Sequence, residues 1–150
     1  MPSIYTERWS EINEAIEPLY PANRAVAVYN TDWFAMSNHQ RAYFVLLTGA
    51  MGQGATVDFA IQQAQDAAGT GAKALTPAKA ITQLTQAGGD GNDLVGVEVR
   101  TEELDVNGSF DYIRGVLTIA GGTVYSAVLS LRHVPNYPPV NTDEWTEIVT

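Results

Sequence analysis

Residues 94–132 read LVGVEVRTEELDVNGSFDYIRGVLTIAGGTVYSAVLSLR, and the fold class turns on this stretch. Three β-type runs are separated by Asn107-Gly108 and Gly121-Gly122, dipeptides that supply the positive φ angles of tight primed turns. The spacing predicts an antiparallel meander: Leu94 to Asp105, Phe110 to Ala120, Val124 to Arg132. Within it, Val95, Val97 and Val99 share one face, with Glu98 and Arg100 on the other. Ile113, Leu117 and Ile119 share a face with Gly115, and Tyr125, Ala127, Leu129 and Leu131 oppose Ser126 and Ser130.

Upstream, period-2 alternation continues. Val57, Phe59 and Ile61 face one way in Ala55 to Gln62, opposite Thr56, Asp58 and Gln62. Ala25 to Tyr29, Trp33 to Met36, Arg41 to Gly49 and Ala80 to Thr85 are further candidate strands. Gln63 to Thr76, punctuated by Gly69 and Gly71 and followed by Pro77, is a connection. About eight short strands with one apolar face each predict an all-β protein, an antiparallel β-sandwich of jelly-roll type.

The two ends differ from this middle. Tyr5, Trp9, Ile12 and Ile16 recur at helical spacing ahead of Pro18 and Pro21, which predicts a short helix over Thr6 to Glu17. Pro135, Pro138 and Pro139 predict an extended tail over 133–150, carrying Tyr137 and Trp145. The expected organisation is an N-terminal helix or arm (1–23), a sandwich domain (24–132) and that tail. Tyr5, Trp9, Tyr137 and Trp145 are the candidate inter-subunit contacts, because isolated aromatics on arms make good anchors.

Composition narrows function by exclusion. The chain has 17 Asp and Glu against 8 Lys and Arg, a net charge of -9, and cations that occur singly. Nucleic acid needs clustered cations, so no nucleic-acid partner is expected. No run reaches the ~18 apolar residues of a membrane helix, and the N-terminus lacks a signal-peptide pattern. Zero cysteines remove disulfide and thiolate chemistry and point to folding in a cytoplasm.

Motifs for chemistry are sparse. Gly88 to Gly96 fits a calcium nonapeptide, with Asp90 and Asp93 as candidate metal ligands, but that motif works by stacked repeats and one copy is present. A glycine-rich turn accounts for the same letters. Glu102, Glu103 and Asp105 cluster at a strand end, where neighbouring carboxylates point to opposite faces instead of across a sugar cleft. His39 and His133 have no local metal-binding partner, and neither a nucleophile elbow nor a phosphate-binding glycine loop occurs. The expectation is a non-enzyme with no catalytic residues and no cofactor.

Several segments resemble small proteins encoded among the structural genes of tailed bacteriophages and related prophages. They are Trp33 to Ser37, Phe59 to Ala64, Thr70 to Ala74, Lys79 to Thr85, Glu98 to Val106 and Phe110 to Gly115. The resemblance spans roughly residues 30–132. It implies a virion structural protein and carries no site residues over. The expected role is head decoration (cement), made in the bacterial cytoplasm and bound on the capsid surface. Its partners would be the major capsid protein and sister copies, a trimer matching local three-fold positions. The alternatives are a head–tail adaptor, a tail or fibre-associated protein, and a carbohydrate-binding module using Trp9, Trp33, Trp145 and Tyr112.

Overall fold

The computed structural model describes residues 8–136 and 144–149. One helical turn, α1 (Trp9–Ile12), precedes β1 (Asn13–Arg24), β2 (Ala27–Asn30), β3 (Phe34–Ala35), β4 (His39–Met51) and β5 (Thr56–Ala64). Then come β6 (Lys73–Ala74), β7 (Leu84–Thr85), β8 (Leu94–Arg100), β9 (Tyr112–Ala120) and β10 (Val124–Pro135). The first sheet has the order β1-β10-β4-β8. The second has β2-β9-β5-β6, with β3 beside β9 and β7 beside β5. Every pairing is antiparallel.

Taking the strands of four residues or more, β1, β2, β4, β5, β8, β9 and β10, the chain switches sheet at every step. First and last long strands lie side by side in one sheet, and β2 and β9 lie side by side in the other. This wrapping of an antiparallel pair around the core is a jelly roll.

It also corrects the expected meander. β8 pairs with β4, β9 with β5 and β10 with β4 and β1, so none of the three pairs with its sequence neighbour. The Gly121-Gly122 turn is a corner between sheets. β8 instead ends at Arg100 and reaches β9 through the connection 101–111, which holds short 3-10 turns at Thr101–Glu103 and Val106–Gly108. The positive φ there, 62°, falls on Ser109, not on Asn107 or Gly108. Turn residues fix a reversal of direction; the ladder partner is chosen by core packing. At the Gly121-Gly122 corner Gly121 takes φ 73° and sits against the backbone of Gly54, leaving no room for a side chain. The Gly52 N–H donates to the Thr123 carbonyl at 2.7 Å, so the β4–β5 and β9–β10 corners lock together.

Sheet faces follow the predicted alternation in β5, β8 and β9. In β10 they are reversed: Val124, Ser126, Val128 and Ser130 face inward, and Tyr125, Ala127 and Leu129 face out. The reason is volume. Ser130 lies in register between Phe44 and Ile16, and a large residue there would overfill the layer. Phe44 stacks between Phe34 and Phe59 at centroid distances of 5.7 and 5.9 Å, in a core completed by Met36, Leu46, Ile61, Ile113 and Leu117. Each such side chain contributes about 1.5–3 kcal/mol by leaving water.

The N-terminal helix expected over Thr6 to Glu17 is corrected too. Of the described residues in that span only Trp9–Ile12 is helical, and Asn13 begins a strand that crosses position 23 without a break. Pairing Ala15 with Leu131 and Ile16 with Ser130 puts β1 into the sheet, and burial outweighs the four-residue periodicity. Pro18 and Pro21 are accommodated because β1 is an edge strand with two register shifts. His133 to Pro135 extend β10 opposite Arg41 and His39.

Candidate functional site

The two outer faces of the sandwich are unlike. On the second sheet the outward face mixes polar side chains, bonded to one another or to the neighbouring chain segment, with Ala60 and Val116, and Val28 of β2 is 58% exposed beside Thr118. The Arg114 guanidinium donates to Gln62 Oε1 at 2.9 and 3.1 Å, and Gln83 donates to Asp58 at 2.7 Å. The first sheet carries apolar rows instead. Register sets Leu131 beside Tyr43, Leu129 beside Val45 and Gly96, and Ala127 beside Leu47 and Leu94.

Several of these are open to solvent: Leu94 is 70% exposed, Tyr125 54%, Leu47 45% and Tyr43 41%. A strand spacing of ~4.8 Å and a rise of ~3.4 Å per residue make this face roughly 300–400 Å². Patches of that size on a monomer are commonly interaction sites. The charges nearest it are already paired, Arg41 with Glu98 at 3.5 Å and Arg100 with Glu102 at 3.5 Å.

Trp9 borders the same face, sharing a hollow with Asn13, Tyr43, Val45, Leu131 and His133. Its ring meets Trp145 edge-on at 6.1 Å. Two of the four aromatics named as inter-subunit contacts are therefore brought together at one end of the apolar face. Tyr5 and Tyr137 lie outside the described residues. Tyr43, Leu47, Leu94 and Tyr125 were missed by sequence reading, although one signal was present. The unbroken apolar run Ala42 to Leu47 leaves both faces of an antiparallel strand in need of cover.

A second cluster lies between the sheets. Glu14 Oε1 accepts from Arg132 Nη2 at 2.6 Å, and its Oε2 lies 3.4 Å from His39 Nε2. Arg132 also donates to the Ala35 carbonyl at 2.7 Å. All three side chains are largely buried. Burial holds the His39 pKa below its ordinary value, the Arg132 charge acts in the same direction, and Glu14 opposes them. The bond from Arg132 ties β1 to β10, while both ring nitrogens of His39 at the start of β4 are buried without a hydrogen-bond partner among the described residues.

The remaining sequence candidates separate. Asp90 Oδ2 accepts the Thr85 N–H at 2.8 Å and closes the glycine-rich turn, while Thr48 Oγ1 lies 3.3 Å from the Asp90 and Asp93 carbonyls. Among the described residues no three His, Cys, Asp or Glu side chains gather to hold a metal. The three carboxylates of the acidic cluster go to three different cations: Glu102 to Arg100, Glu103 to Lys79 at 2.8 Å, Asp105 to Lys73 at 2.5 Å. Lys73 and the Gly108 N–H hold Asp105 below its ordinary pKa. Burial would raise Glu103, but the Arg100 N–H and Lys79 outweigh it and its pKa is also lowered. His133 Nδ1 lies 2.7 Å from Asn13 Oδ1. Trp33 is packed against Gly69 and lies under the Arg114 guanidinium, 4.5 Å from its ring centroid.

No family model matches the chain, and no curated protein or solved structure matches it.

Proposed function

We propose that this is a non-catalytic structural protein that acts by presenting surfaces, a virion component of the tailed-phage type, and within that class a head decoration protein. The observation that carries the reading is the solvent-open apolar face around Tyr43, Leu47, Leu94 and Tyr125. A face of this size is about half of a standard interface per partner, so one contact is weak. Repetition on a symmetric shell multiplies weak contacts into firm attachment.

Jelly rolls recur in capsid and lectin domains, which supports the reading by fold analogy. The segments from Trp33 to Gly115 that resemble phage structural-region proteins supply the virion assignment. Sister copies and the major capsid protein are the proposed partners, with a trimer as the self-associated state and the capsid surface as the location. The carbohydrate-binding alternative loses Trp33 as a platform, since its ring lies under Arg114.

The test is quantitative mass spectrometry of purified particles from the phage or prophage that carries the gene. Hundreds of copies per particle support decoration, and a dozen or fewer support a connector or tail station. Absence from the particle overturns the virion reading.

A further inference from the structure

β8 is an edge strand of the first sheet, and its backbone groups divide into two rows. The Thr48 N–H donates to the Asp93 carbonyl at 2.9 Å, which sets the phase of the β4–β8 ladder. By alternation Val95, Val97 and Val99 bond to Leu46, Phe44 and Ala42. Leu94, Gly96 and Glu98 therefore turn their N–H and C=O groups away from the sheet. Arg100, next in that row, gives its N–H to Glu103 Oε2 at 2.8 Å, which agrees with this phase.

The two edges of this sheet are not equivalent. β1 carries Pro18, Pro21 and two register shifts, devices that prevent an edge from pairing. β8 has no proline, and its register with β4 is regular over all seven residues. Beside it runs an open cleft whose far wall is the chain from Ala78 to Leu84. That wall is anchored to β5, since Ile61 N–H donates to the Lys79 carbonyl at 2.8 Å and Ile81 N–H to the Phe59 carbonyl at 2.9 Å. Ile81, Leu84, Val95 and Val97 make the cleft apolar and are only partly buried. Lys79 and Glu103 bridge the two walls at 2.8 Å.

We propose that the β8 edge is a strand-addition site for an extended segment of a different polypeptide. Main-chain bonds to Leu94, Gly96 and Glu98 would hold the segment. Its alternate side chains would enter the cleft as medium-sized apolar groups such as Val or Ile, and those on the other face would meet Glu98. Charge selects the partner. Asp90 and Asp93, which make no ion pair among the described residues, flank one end of the edge. Glu98, Glu102 and Glu103 at the other end are paired with Arg41, Arg100 and Lys79, and the chain as a whole carries a net charge of -9. A basic segment is attracted to the Asp90 and Asp93 end, whereas a second copy of the chain, itself of net charge -9, is disfavoured by overall repulsion. The site adjoins the apolar outer face through Leu94 and Gly96 but uses their main-chain groups, and it holds whichever virion station the protein occupies.

The test uses amide NMR and hydrogen exchange on the full chain, with acetyl-Lys-Val-Thr-Val-Thr-Val-Lys-amide as probe. In the free protein the Gly96 and Glu98 amides should exchange rapidly while Val97 and Val99 are protected. Saturating peptide should slow Gly96 and Glu98 at least tenfold. Glu98→Pro leaves the bonds to β4 intact and should abolish binding. Glu98→Lys keeps the strand and should weaken the basic peptide while favouring its glutamate-flanked counterpart. Protection of Gly96 and Glu98 in the free monomer overturns the proposal. So does an absence of shifts at millimolar peptide, unaltered binding by both variants, or dimerisation through β8.

Discussion

Gly115 of β9 and Phe59 of β5 form a contact that only a bare backbone permits: a β-carbon on Gly115 would lie 2.6 Å from Phe59 Cζ and 3.3 Å from Phe44 Cδ1. Both rings are fully buried and have nowhere to move. Thr31 adds a second constraint, its hydroxyl accepting the Gly115 N–H at 2.8 Å and its own N–H reaching the Gly115 carbonyl at 3.0 Å. Gly115→Ala should cost about 1–3 kcal/mol in urea denaturation, the range for overpacking a filled core. Gly96→Ala also collides with an aromatic ring, that of Tyr43, but this ring is part-exposed and can swing into solvent. Its cost should stay below about 1 kcal/mol, the value of one cross-strand contact.

The buried pair Glu14–Arg132 should behave unlike its surface counterparts. Removing one partner leaves a charge enclosed between the sheets, so Glu14→Ala or Arg132→Ala should each destabilise by roughly 3–5 kcal/mol. The double variant should cost less than the sum of the two, because neither charge is then stranded. Arg41 and Glu98 are about half-exposed, and breaking that pair should change stability by less than about 1 kcal/mol. Chemical denaturation of the variants in one buffer makes the comparison.

Stability should also fall on mild acidification through His39. Its folded pKa is held below the ordinary 6.5 by burial, then by Arg132, so the unfolded chain takes up a proton before the folded one does. The contribution is complete above pH 6.5 and is lost as pH falls from there through the folded value. Urea midpoints measured at steps below pH 6.5 should decline in the native protein and flatten in His39→Gln. A second decline at lower pH belongs to Glu103 and Asp105, whose depressed values make their contribution present above 4.5 and 3.8 and lost in stronger acid.

The apolar face predicts a separation of stability from association. Leu47→Asp and Tyr125→Asp place charges at solvent-open positions, so unfolding free energies should shift by no more than about 0.5 kcal/mol. Self-association, read by light scattering across a concentration series, should drop sharply. Thr118→Asp on the second sheet is the control and should leave association unchanged. Equal association in all three variants would remove this face from the proposed function.

Local pattern was enough for the all-β class, the inward sets Val57, Phe59, Ile61 and Ile113, Leu117, Ile119, and the chain reversal at Gly121. Those properties depend on neighbours one to four residues apart, and period-2 alternation records them directly. Which strand pairs with which was not encoded locally. Gly121-Gly122 reverses the chain whether the next strand joins the same sheet or the opposite one, and only the closing of the core sends β10 to β4. The same limit inverted β10, where Tyr125 and Leu129 outweigh Ser126 and Ser130 in hydrophobicity but yield the interior because Phe44 fills the space beside Ser130. The helix expected through Glu17 gave way for a related reason, since Asn13 to Ile16 gain more by pairing with β10 than by extending a single turn.

For the candidate site, the sequence named Trp9 and Trp145 as exposed anchors, and the fold placed them together. The face they border exists only because β4, β8 and β10 lie side by side, although they are tens of residues apart in the chain. Composition determines how much apolar surface the chain carries. Volume matching between layers decides which part of it stays outside.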